Sequence, residues 1–197
     1  GENEANALGN IGTVHYQRGA LEEARRFFLE AMKIQVELGD ITGLTIAYAN
    51  LGEVHLRLKE YDRANEFYDK LAHLAEETGS SSFLSVAYAG VAQCGLAAQR
   101  YTEAMTYAKL ACRSAEEQGN TFFLALSLRV LGETHLLCRE YEHARESLGK
   151  AVLLLTGVAG AEESLEKARK SLKEAEAGAA DVAVGDAAAP LTDSRNA

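Results

Sequence analysis

Proline is almost missing from this sequence: among 197 residues there is one, Pro190. Because proline is the strongest helix breaker, the 189 positions before it are free to run as long helices. Tryptophan is absent and strand signals are poor. No apolar stretch approaches the length that crosses a bilayer, and no basic-then-apolar leader opens the chain. The expectation is therefore a soluble, cytoplasmic protein that does not engage a membrane. Basic residues are also short, 20 Lys and Arg against 29 Asp and Glu for a net charge of -9, which excludes the clustered positive charge that nucleic-acid binding requires. Cysteine is confined to Cys94, Cys112 and Cys138; with no CxxC pair and an odd count, neither a disulfide framework nor a cysteine zinc site is expected, and a reducing compartment suits them.

What the chain does contain is a repeat. Shifting the sequence by 40 residues superposes four copies: Ala24, Ala64, Ala104 and Ala144 fall in register, as do Gly12, Gly52, Ala92 and Gly132. Gly39, Gly79 and Gly119 mark the joints. Within a copy, apolar residues return every three or four positions along two successive helices, as in Leu44, Ala47, Tyr48, Leu51, Val54 and Leu58 followed by Tyr61, Ala64, Tyr68, Leu71 and Ala75. The spacing predicts helices at 3–18, 21–38, 41–58, 61–78, 81–98, 101–118, 121–138 and 141–155. Asp40, Ser80 and Asn120 stand where an N-cap oxygen is wanted. Short side chains at the in-register glycines and alanines let paired helices approach, with large residues at 28, 68 and 148 beside them.

These residues resemble the tetratricopeptide repeat, whose small residue and two alanines match at Gly12, Ala24 and Ala31 in copy one and at Gly132, Ala144 and Ala151 in copy four. The departures are a period of 40 rather than about 34 and the lack of a closing proline. The LGNIG near the start, the LGE of copies two and four and the Gly-Asp joint resemble the 40-residue repeats of the Pins/LGN group of adaptors, with similar repeats in bacterial regulators. The resemblance implies an all-α fold, a right-handed α-solenoid of four helical hairpins over 1–156 (1–40, 41–80, 81–120 and 121–156). A capping helix is expected at 157–177, since a terminal pair otherwise leaves its apolar side in water. The Ala, Gly, Asp and Val mixture of 178–197 reads as a disordered tail. Residue 1 aligns with the repeat joints and is not Met, so the chain reads as cut from a longer protein with further repeats or other domains upstream.

Catalytic and cofactor signals are weak. His15, His55 and His135 recur at one repeat position, but stacked hairpins lie about 10 Å apart, so these side chains cannot share one ion with bonds near 2 Å. They read as packing residues. Adjacent carboxylates such as Glu76 and Glu77 diverge on a helix and read as solvated faces. Gly157 to Gly160 lacks any phosphate-cradle pattern and reads as helix termination. The three cysteines read as small buried apolar residues. No cofactor, no metal and no enzymatic activity are expected.

The resemblance also places a groove along the first helix of each pair, and implies a protein partner bound there. The polar residues expected to line it are Asn10, Thr13, Gln17, Asn50, Glu53, Arg57, Gln93, Arg129 and Glu133, among apolar neighbours such as Leu56, Leu96 and Leu126. That mixture suits a peptide or helix with aliphatic anchors and some basic groups. A related clamp for acidic C-termini is not expected, because of its matching positions only Asn50 agrees. The expected role is a scaffold or adaptor. A structural or self-association module, or the sensory half of a bacterial signalling regulator, is the alternative.

Overall fold

A residue in the left-handed region stops an α-helix by turning its last carbonyls toward the following amides. This chain uses that device at every joint. The structure, a computed structural model, describes residues 1–188, with side chains through Val182. Its helices are α1 (Glu2–Gln17), α2 (Leu21–Leu38), α3 (Ile41–Arg57), α4 (Tyr61–Thr78), α5 (Ser81–Ala97), α6 (Tyr101–Glu117), α7 (Thr121–Leu137), α8 (Tyr141–Leu155) and α9 (Glu162–Ala188). No strand occurs among the described residues.

Between hairpins the left-handed residue is glycine: Gly39, Gly79 and Gly119 have φ of 64°, 67° and 65°. Within hairpins only the first joint uses glycine, Gly19; Lys59, Gln99 and Arg139 take φ of 61° to 63° in the others, a conformation that costs an L-residue about 1–2 kcal/mol. Each of the seven joints from α1 to α8 is then closed by a six-residue backbone bond, such as the Glu60 amide donating to the His55 carbonyl at 2.9 Å. Asp40 and Asn120 cap α3 and α7 as expected, accepting from the Gly43 and Phe123 amides at 2.9 and 3.0 Å. Ser80 does not: its hydroxyl makes no cap bond at α5.

Packing follows the size pattern of the repeat. The four in-register alanines, Ala24, Ala64, Ala104 and Ala144, are wholly buried. Where the second helix of a pair carries a large residue the first carries glycine: a Cβ at Gly12 would lie 2.7 Å from the Phe28 ring, one at Gly52 2.7 Å from the Tyr68 ring, and one at Gly132 2.5 Å from Leu148 Cγ. In copy three the second helix has Ala108 instead, and Ala92 and Val130 fill the space. The core is thus a series of interhelical clusters distributed along the array.

Each helix packs on its neighbours in sequence, and α1, α3, α5, α7 and α9 also touch one another in order, whereas no two of α2, α4, α6 and α8 meet. The odd-numbered row is therefore the tighter, inner curve. Gly157 and Gly160, at φ of 82° and 80°, end α8 and redirect the chain into α9, which packs on α8 and α7. Ala161, Ala168 and Ala175 of this last segment are buried. Here the structure differs from the sequence expectation: α9 does not stop near Ala177 but continues to Ala188, through the first part of the stretch read as disordered. The rest of that stretch, 189–197, lies outside the described residues.

Candidate interaction groove

Residues 40 apart occupy the same place on successive odd-numbered helices, so one register of the repeat becomes one lined wall. Tyr16, Leu56 and Leu96 share such a register, as do Arg57 and Ala97, and Glu53, Gln93 and Glu133. All of them border a cavity of about 410 Å³ on the inner row, joined by Leu126 and Arg129 of α7. Its remaining wall comes from Glu163, Ser164 and Lys167, in the first turns of α9.

Five of the nine polar residues expected in the groove meet here: Glu53, Arg57, Gln93, Arg129 and Glu133. Asn10, Thr13, Gln17 and Asn50 do not line this cavity. Asn10, Thr13 and Gln17 are exposed on α1, with the Thr13 hydroxyl donating to its own helix at Gly9 O, 3.0 Å away, and Asn50 is half-buried on α3. The contribution of α9 was missed. A cap is expected to cover the last apolar face, and only the packing of α9 against α7 brings its polar residues to the groove.

The charged groups of the cavity are held by tyrosine hydroxyls or by one another. Tyr16 donates its hydroxyl to Glu53 Oε1 at 2.8 Å, and Tyr68 reaches Glu53 Oε2 at 3.4 Å from the second helix of that pair. Arg57 donates to the Tyr16 oxygen at 3.3 Å while its guanidinium lies over the Tyr16 ring. Burial, reinforced by the Glu53 carboxylate, pushes both phenols above their ordinary range, so they remain hydrogen-bond donors. On α7 the Arg129 Nη1 spans both Glu133 oxygens at 2.7 and 2.8 Å, and on α9 Lys167 meets Glu163 at 2.7 Å. Glu133 is thus ion-paired with Arg129, whereas Glu53 accepts only from the neutral Tyr16 and Tyr68 hydroxyls. The group left over is a donor: Arg129 is 9% exposed and its buried Nε has no partner.

No histidine or cysteine borders this cavity. His55 lies instead at the back of its hairpin, Nδ1 2.5 Å from Glu60, its ring stacked on Phe67 at 5.3 Å; His15 stacks on Phe27. Burial pushes the Cys94 and Cys112 thiols up to about 12, which leaves both without thiolate nucleophilicity. Cys138 departs from the expectation of three buried cysteines, being exposed beside the last within-hairpin joint.

Residues 3–77, the first two hairpins, match the tetratricopeptide repeat family. No curated protein matches the sequence. Among solved structures, BtubC (BKLC) from P. vanneervenii is similar with a TM-score of 0.66 at 17% identity, covering 96% of this chain and 84% of its own. The MamA RS-1 ArsTM double mutant aligns over 90% of this chain and 96% of its own, at 19% identity and TM-score 0.54. The P58(IPK) TPR domain aligns at 14% identity and TM-score 0.58 over 91% of this chain, which spans 47% of that longer chain. At such identities the likeness is one of fold: an all-α solenoid of tetratricopeptide hairpins.

Proposed function

We propose that this chain is a protein-interaction scaffold that seats a segment of a partner polypeptide on its inner row of helices and does not react with it. Tetratricopeptide arrays generally serve as protein-interaction scaffolds, which is the coarser statement on which the proposal builds. The observation that carries the finer one is the 410 Å³ cavity itself, where four hairpins and α9 converge and the lining offers leucines and paired charges. Its size suits a few side chains of an extended or helical segment. Leu56, Leu96 and Leu126 favour aliphatic anchors. Glu133 is ion-paired with Arg129, so Glu53, held only by neutral hydroxyls, is the carboxylate that favours a basic residue of the partner. An adaptor role like that of the Pins/LGN group, in the cytoplasm, belongs to the same proposal. Among the described residues no helix is long and apolar enough to cross a membrane.

A photo-crosslinking residue at Leu96, inside the groove, is expected to capture partner protein in a native extract, and one at Lys109, exposed on α6, is not. Capture from Lys109 alone overturns the groove assignment. A self-association role is favoured by Ile11 and Val14, which α1 leaves 42% and 44% exposed. It predicts concentration-dependent sedimentation that Ile11→Ser with Val14→Ser abolishes.

A further inference from the structure

The fourth hairpin departs from the others at its back. In copies one and two the histidine near the end of the first helix is covered by a phenylalanine of the second, His15 by Phe27 and His55 by Phe67, with ring centroids 5.2 and 5.3 Å apart. The matching residue in copy four is the small, buried Ser147. His143 takes the vacated place and stacks on His135 at 5.2 Å. Glu140, at the start of α8, already meets His135, with Nδ1 and Oε2 2.5 Å apart. One ligand atom from each of His135, Glu140 and His143 lies within 4.8 Å of the other two. Copy two repeats the pair, His55 with Glu60 at 2.5 Å, but has Arg63 in the position of His143. Three potential ligands thus converge in copy four alone.

We propose that His135, Glu140 and His143 form a binding site for a divalent transition-metal ion, with Zn²⁺ as its occupant, across the joint between α7 and α8. Two imidazoles and one carboxylate match the borderline character of Zn²⁺, whereas Ca²⁺ and Mg²⁺ require oxygen ligands throughout. Bonds of about 2.0–2.2 Å set tetrahedral ligand atoms roughly 3.4 Å apart. The widest separation here must therefore close and the His135–Glu140 contact must open. Glu140 and His143 are both exposed, while buried His135 supplies the fixed point. The ion takes the Nδ1 lone pair of a neutral imidazole whose one proton sits on Nε2, so the proton shared with Oε2 shifts to Nε2, or, where the ring already carries both protons, leaves to solvent; the remaining coordination positions are taken by water. Lys109 of α6, whose charge also reaches Glu140, opposes the ion without donating to it.

The test is a calorimetric titration of the whole chain with zinc chloride. The expected result is one equivalent bound, at least about tenfold more weakly in His143→Arg, since loss of even an outer-shell partner of a metal site costs about 10–100-fold. That substitution places at 143 the residue that copy two carries at the same position, and a thermal melt of the variant checks that its fold is kept. Glu140→Gln is expected to weaken binding likewise. Cys138→Ser, which removes the exposed thiol three residues from His135, is expected to leave it unchanged. Absence of zinc binding by the unaltered chain, unchanged binding in His143→Arg, or loss of binding in Cys138→Ser each overturns the assignment.

Discussion

Replacing Gly52 and Gly149 by alanine, one at a time, applies the same chemical change to two helix interiors with opposite expected signs. Each substitution removes the conformational freedom of a mid-helix glycine, worth about 0.5–1 kcal/mol in favour of alanine. At Gly149 nothing lies within 4 Å of the new methyl, so the whole gain is kept. At Gly52 the methyl would stand 2.7 Å from the Tyr68 ring. The ring has little room to retreat, because Gly90 of α5 also lies against it and its hydroxyl is held by Glu53. Overpacking of this kind costs about 1–3 kcal/mol. The propensity gain cancels between the two variants, so their stability difference reports the steric clash alone. For a chain of this length each kcal/mol moves the midpoint by about 2–4 °C, which places Gly52→Ala roughly 2–12 °C below Gly149→Ala. Thermal unfolding followed by circular dichroism, with urea titrations to compare slopes, measures it. Two variants that melt together refute the argument that glycine at this position exists to seat Tyr68.

Two further outcomes follow from the buried thiols and the histidine clasps. An aromatic disulfide reagent is expected to modify one cysteine in the folded chain, Cys138, and all three after denaturation; rapid labelling of Cys94 or Cys112, held at about 12 by burial, contradicts the packing described. The hydrogen bonds from His55 and His135 hold the Glu60 and Glu140 carboxyls below their ordinary value of 4.5, so their stabilisation is complete above that pH and lost as pH falls through the folded-state values. Glu60→Gln with Glu140→Gln is therefore expected to flatten the acid side of a melting-temperature profile, and an unaltered acid side rules out the clasps as a source of stability.

Helix boundaries were legible because local rules decide them. Each left-handed joint follows directly after a run of three-and-four spacing, and the expected ends agree with the observed ones to within a residue or so for α1 to α8. The inner row was legible from the period alone, since a shift of 40 residues carries Glu53 onto Gln93 and Glu133. The fate of those side chains was not. Whether Glu53 is free or spent depends on Tyr16, 37 residues earlier, and Tyr68, 15 residues later, which no local pattern joins to it. The His135 cluster was hidden for a different reason: comparing histidines between copies discards the idea of an ion, while the relevant neighbour, His143, sits in the same copy at a position where the others have Glu23, Arg63 and Glu103. The extension of α9 escaped because alanine-rich sequence with little periodicity carries high helix propensity but no amphipathic signature.

Backbone contacts in this array never join helices more than two apart in order, yet Tyr16 of α1 and Lys167 of α9 border one cavity. Small changes of tilt at each successive interface add up between such distant elements, as the turns of a spring add up to its extension. The width of the cavity therefore sums the tilts of every interface between α1 and α9.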